Sequence, residues 1–364
     1  MKQRIVIVLE DDWELNGNGT GNIAESQHIP ATYLMNLAKK YGFRISFMVE
    51  VLQQLAFKIH EHKSNQLRVQ AALWDGTVRE MRLQGHDVQL HLHPQWVNAR
   101  YEHEQFRVDR NWNIATYPRA ERVSMINDAL AYLKNLLCPI DPQYVPHSIK
   151  AGSWALQPSR GILEDLRDAG IKIVLGVGLG IHLQSCDFHV DYRELDSPIV
   201  PYYPDFDDIR RCSRSRKAIA VIPLAYYHVG LRDIAARLGR RIWPRLSPSE
   251  QLENYSKHTQ TVTTPSPLGR QMRYARLRPL DIAANPFGEL RRAIDSIISR
   301  AANVDSDYVP VVLQSHTKRY RNNWKTLAKF FDYVTDRYRN IVEFATLSDV
   351  LPHLESSIMP VEDD

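Results

Sequence analysis

The chain has 364 residues, 44% hydrophobic and 24% charged, and its 46 Lys and Arg against 42 Asp and Glu leave a formal net charge of +4. That balance excludes collagen-like, coiled-coil and disordered chains, and so small a basic surplus excludes nucleic acid as the default partner. Cys138, Cys186 and Cys212 are widely spaced and form no CxxC pair, so neither a disulfide framework nor a thiolate zinc site is expected.

The opening MKQRIVIVLEDDWE has too short an apolar run for a secretory signal, and no run reaches the about 18 apolar residues of a membrane span, which predicts a cytoplasmic protein. Residues 5–9 form a β-branched run that stops at Glu10, Asp11 and Asp12, the pattern of a buried parallel strand delivering acids at its carboxyl end. After the polar loop NGNGTGN, the helical spacing of Tyr33, Leu34, Leu37 and Ala38 predicts a helix over 31–41, closed by Gly42. A strand over 44–50, a helical stretch and a strand over 88–93 repeat the order. Strands at 148–151, 171–175, 218–224, 309–313 and 341–346 continue it, with helices over 159–169 and around 324–337. Some seven such units predict one α/β domain over 1–364, a parallel barrel in preference to a doubly wound sheet. Segment 201–307, proline-rich and basic, breaks the rhythm and reads as an insertion on the barrel. GVGLG at 176–180 lacks the GxGxxG spacing of a dinucleotide site.

The densest chemistry lies in GHDVQLHLHPQW, with His86, His91 and His93. Residues two apart on a strand share a face, so His91 and His93 can meet one centre while Leu90 and Leu92 pack behind them; His86, before the strand, reads as structural. Imidazole suits zinc and similar divalent ions, and a catalytic site has three protein ligands and an open position. Asp12, at the end of the first strand, supplies the carboxylate, because carboxyl ends of parallel strands converge on one rim.

The order strand-Asp-Asp, then GHDVQLH, KAGSW and VVLQSHTK, resembles the polysaccharide deacetylases of the nodulation-factor type, carbohydrate esterase family four, over residues 4–185 and 308–350. LEDDWELNGNGTGN and HLHPQW look most like the cytoplasmic deacetylase-like proteins of bacterial O-antigen and other surface-polysaccharide biosynthesis. The resemblance implies a distorted (β/α)7 barrel, TIM-like, and a divalent metal, zinc the leading choice. Carried over by position, it makes Asp11 the general base, Asp12 and His91 metal ligands, and His316 the general acid. Gln95 stands where the family has its second histidine, so the third ligand is assigned to His93, with Gln95 an oxygen ligand or substrate contact. Trp13 replaces the family's glycine; a related Asp-x-Glu variant matches Asp12 and Glu14, which makes Glu14 a reserve ligand and leaves the register of the acids open by one residue. Lys150 occupies the place of the arginine that orients the base, and Asp196 roughly that of the aspartate that contacts this arginine.

The expected substrate is an N-acetylated sugar, linked to a nucleotide, lipid or polymer, with Trp96, Trp154 and Tyr203 as further contacts. Two basic clusters could meet a diphosphate or the surface of an anionic membrane: Arg210, Arg211, Arg214, Arg216 and Lys217, and then Arg237, Arg240, Arg241 and Arg245. The rival readings are a carbohydrate-binding barrel without catalysis, and a metal-free glycosidase using Asp11 or Asp12 with Glu14.

Overall fold

The computed structural model describes residues 3–184, 189–230, 233, 276–316, 318 and 324–358. Its β-branched opening run forms β1 (Arg4–Trp13), buried from Ile5 onward. The next strands are β2 (Ser46–Glu50), β3 (Asp87–Leu92), β4 (Ser148–Ala151), β5 (Ile173–Leu175) and β6 (Ala220–Val221). β7 (Tyr308–Ser315) and β8 (Val342–Ala345) complete the sheet. All pair in parallel, in the order β6-β5-β4-β3-β2-β1-β7, with β8 on the amino-terminal half of β1. Parallel strands need crossovers, and helices supply them. α1 (Ile29–Tyr41) links β1 to β2, α2 (Val51–His60) and α3 (Asn65–Leu83) link β2 to β3, and α4 (Arg119–Leu137) links β3 to β4. α1 carries Pro30 in its first turn and ends at Gly42, whose φ of +72° closes the helix in the left-handed conformation. Among the described residues no helix is long and apolar enough to cross a membrane.

The sheet curls. Two strands separate β4 from β1, which in a flat sheet puts them roughly 14 Å apart, yet Lys150 Nζ of β4 lies 2.6 Å from Glu10 Oε1 of β1. Beyond β6 the chain makes a parallel bridge from Leu224 to Val312 of β7, and Asp281 makes another to Gln314. Described parts of segment 201–307 therefore fill the wall between β6 and β7, because AIAVIPL is as apolar as any other strand here, and the segment is no mere decoration.

Side-chain alternation divides the strands into two faces. Register places Glu10, Asp12, Ser46, Met48, Glu50, Asp87, Gln89, His91 and Lys150 on the inner one. Asp11 and Trp13 face outward. Trp13 packs on Trp74 of α3, ring centroids 5.3 Å apart, and its indole N–H donates to the Gln27 carbonyl.

Candidate active site

The carboxyl ends of β1, β3, β4 and β7 bring buried ionisable groups together. Glu14, one residue beyond β1, directs Oε2 to 2.7 Å from His93 Nε2 and 3.7 Å from His91 Nε2. These three side chains present donor atoms all within 4.8 Å of one another. Each imidazole is oriented from behind. His91 Nδ1 lies 2.8 Å from the Lys150 carbonyl, which can only accept, so Nδ1 carries a proton there and Nε2 is the nitrogen turned toward the centre. His93 Nδ1 lies against the Gln95 amide, 3.1 Å from its Nε2 and 3.3 Å from its Oε1, and Gln95 Nε2 also donates to the Gly17 carbonyl. His91 Nε2 is buried and has no hydrogen-bond partner among the described residues. A buried ring nitrogen left so, beside a second imidazole and a carboxylate, fits a divalent cation.

Beside this triad stands a charge chain. Lys150 Nζ contacts Glu10 Oε1 at 2.6 Å and Asp12 Oδ2 at 2.8 Å; His316 Nε2 lies 3.1 Å from the same Asp12 oxygen, and His316 Nδ1 lies 3.0 Å from Asp281 Oδ2. Burial penalises charge on both carboxyls that share Lys150, but the outcomes part. Burial dominates at Glu10 and pushes it well above the usual carboxylate range, whereas at Asp12 Lys150, His91 and His316 overcome burial and hold it well below. Of the two carboxyls, Asp12 therefore holds the negative charge more readily than Glu10. Burial alone would lower Lys150; Asp12 and Glu10 raise it instead, so it stays an ammonium. Glu14 is likewise held well below the usual range, against burial, by Lys318 and His93.

The acids stand one register away from the expected one. Asp11, expected as base, lies on the outer face of β1, in register with Ser315, whose hydroxyl donates to it. Two successive residues of a strand cannot both face the barrel interior. Asp12 takes the position beside Lys150 that was expected of Asp11, and Glu14 takes the place beside the histidines that was expected of Asp12. Gln95 orients His93 from outside the triad. Trp96 belongs to the core, against Phe57 and Phe106, and Tyr203 is buried there too. Trp154 is half-buried against Gly176, where an added Cβ would come within 3.2 Å of its ring. Asp196 is far from Lys150's partners in role: it takes Arg211 at 2.8 Å and caps the Cys212 N–H, an exposed structural pair. In the first basic cluster Arg210 pairs with Asp208, Arg211 with Asp196, and Arg216 with Glu355, which spends much of its charge locally. Arg237, Arg240, Arg241 and Arg245, like Cys186, lie outside the described residues.

Four residues of the site escaped the sequence reading. Asp281 comes from the segment taken as an insertion. Lys318 contacts Glu14 Oε1 at 2.6 Å. Glu50 ends β2 in register with His91, caps α2 by accepting the Leu52 and Gln53 N–H groups, and is pushed up to about 8 by burial. Trp112 leans its ring on His93, centroids 6.4 Å apart, and on Gly17, where any Cβ would strike the indole at 2.7 Å. A further grouping, His182, His189 and Asp191, sits on a hairpin (Ile181–Gln184 with His189–Tyr192), where Arg193 already holds Asp191 at 2.8 Å.

No protein-family model and no curated protein sequence matches the chain. Among solved structures, a protein of Mycobacterium smegmatis provisionally named a polysaccharide deacetylase superposes over 100% of this chain and 95% of its own, with TM-score 0.53 and 11% identity. This chain shares the fold of that structure. A PuuE allantoinase aligns over 96% of this chain and 90% of its own at TM-score 0.48 and 12% identity, and a polysaccharide deacetylase assigned in Pseudomonas aeruginosa PAO1 over 96% and 91% at 0.45 and 12%. In this fold the Glu14 and Asp12 clusters lie at the carboxyl ends of the strands, where parallel barrels place their sites.

Proposed function

We propose that this protein is a metal-dependent hydrolase that removes an N-acyl group, acetyl in the first instance, from an amino sugar during assembly of a bacterial surface polysaccharide in the cytoplasm. The observation that carries the reading is the joining of Glu14, His91 and His93 around one centre with Asp12, held ionised, alongside. Glu14, His91 and His93 would hold the divalent cation, zinc first among candidates, which supplies Lewis acidity toward an amide carbonyl and toward water.

The chain's own groups supply the proton transfers. Asp12 Oδ2 is occupied by Lys150 and His316, whereas Oδ1 is buried without a hydrogen-bond partner among the described residues and is the oxygen that takes a proton from attacking water. Lys150 keeps Asp12 ionised; with one ammonium it provides the charge of an arginine but not its fork. His316, held between Asp12 and Asp281, is the group placed to give a proton to the departing amine. The Trp112 indole beside His93 offers a flat face for a sugar ring. The nodulation-type motifs support the sugar and its place in surface-polysaccharide assembly.

Metal content and amine release test the reading together. The purified protein is expected to hold one divalent ion per chain and to liberate acetate from N-acetylated sugar nucleotides or surface polysaccharide, and His91→Ala is expected to lose both. A wild-type chain that takes up no ion on soaking overturns the proposal; an ion without acetate release from any such sugar leaves a carbohydrate-binding barrel.

A further inference from the structure

Lys318, two residues beyond His316 in VVLQSHTK, has no part in the steps above, yet it makes one of the shortest polar contacts at the centre. Its Nζ lies 2.6 Å from Glu14 Oε1 and 3.4 Å from the Leu15 carbonyl, with its side chain only 16% exposed. The other Glu14 oxygen, Oε2, faces His93 and His91. One carboxylate is therefore divided between two cations' positions: Oε1 is committed to the ammonium, and Oε2 alone is turned to the histidines.

Resting on the metal reading above, we infer that Lys318 is a positioning residue that restricts Glu14 to a single oxygen toward the cation and tempers the charge of the ligand set. Two consequences follow from elementary electrostatics. A carboxylate oxygen drawn toward an ammonium has one lone-pair direction taken and is pulled away from the centre, which disfavours closure of both Glu14 oxygens on a divalent ion and keeps a coordination position open for water and substrate. The ammonium also cancels the formal charge of the one anionic ligand, since His91 and His93 are neutral ligands; this weakens the hold on the ion and leaves it more electrophilic. The residue thus trades affinity for reactivity.

Cobalt substitution tests this without reference to turnover, because the visible absorption of cobalt(II) weakens as its coordination number rises. The full chain is stripped with chelator and titrated with cobalt(II) alone, as wild type, Lys318→Met and Lys318→Arg. Lys318→Met is expected to bind cobalt about tenfold more tightly and with weaker absorption, as Glu14 turns both oxygens to the ion. Lys318→Arg, which restores a donor cation, is expected to keep the wild-type spectrum. If wild type binds cobalt but Lys318→Met matches it in affinity and spectrum, or binds more weakly, the role assigned to Lys318 is overturned while the centre stands. If wild type binds no cobalt, the metal centre itself is overturned, and Lys318's role with it.

Discussion

The barrel interior holds two polar networks on the same strands, and they are finished differently. At the amino-terminal ends, Gln89 Oε1 accepts the His147 and Ser148 N–H groups, and Gln89 Nε2 donates to Asp87 Oδ1. Asp87 in turn accepts from the Ser348 hydroxyl and N–H, and the Ser148 hydroxyl meets His147 Nδ1. At the carboxyl ends, Glu10 Oε2, Asp12 Oδ1, Glu50 Oε2 and His91 Nε2 are buried with no hydrogen-bond partner among the described residues. Leaving a buried polar atom unmade costs about 1–3 kcal/mol, and charged groups cost more. A fold that completes one network and leaves the other open on the same strands shows where it is built for stability and where for binding.

The sharpest way to break this contrast lies in adjacent acids. Asp12→Asn is expected to keep the metal and lower deacylation about 10³-fold, the range of a lost general base, whereas Asp11→Asn, on the outer face, should leave turnover within a few-fold and act on stability through Ser315. The reverse pattern in a metal and amine-release assay would return the base to Asp11. In the completed network, Gln89→Leu strands two backbone N–H groups and is expected to destabilise by about 3 kcal/mol in urea unfolding with metal stoichiometry unchanged; loss of the ion as well would merge the two networks into one.

A pH experiment sharpens the contrast next. His86 Nδ1 accepts the Ile45 N–H at 3.1 Å, which fits a neutral ring, and burial pushes its pKa down from 6.5 to about 4. Protons then bind the unfolded chain more readily, so the contribution is full above pH 6.5 and is lost as pH falls toward about 4, up to about 3 kcal/mol. His86→Asn, which keeps an acceptor there, should flatten the pH dependence of stability over that window. The smallest effect belongs to the rim: Asp196→Ala removes an exposed ion pair and is expected to change stability by under about 1 kcal/mol and turnover not at all, against its expected role beside the base.

The fold was legible because its strands are β-branched or otherwise apolar runs separated by helical spacing, and hydrophobic periodicity survives without tertiary information. At the site, parity made His91 and His93 readable as a pair. The same parity groups Glu10, Asp12 and Glu14 on one face and turns Asp11 outward, whereas the double-aspartate motif by itself does not say which acid faces in. Asp281 and Lys318 carry no such signal. Asp281 sits in LRPLDIAA inside a stretch whose prolines and arginines mask its strand-like role, and Lys318 lies beyond the strand, where no period specifies direction. Trp112 likewise reaches His93 only through the path of the loop after β3.

Lys150 ties the halves of the site together, since its carbonyl orients His91 while its ammonium holds Asp12. A slip of β4 by a single residue would point that ammonium away from the interior and withdraw the carbonyl in the same movement. Cation cup and proton acceptor thus share one mechanical fuse, so backbone changes in this strand should abolish both functions together, while substitutions that spare the main chain can separate them.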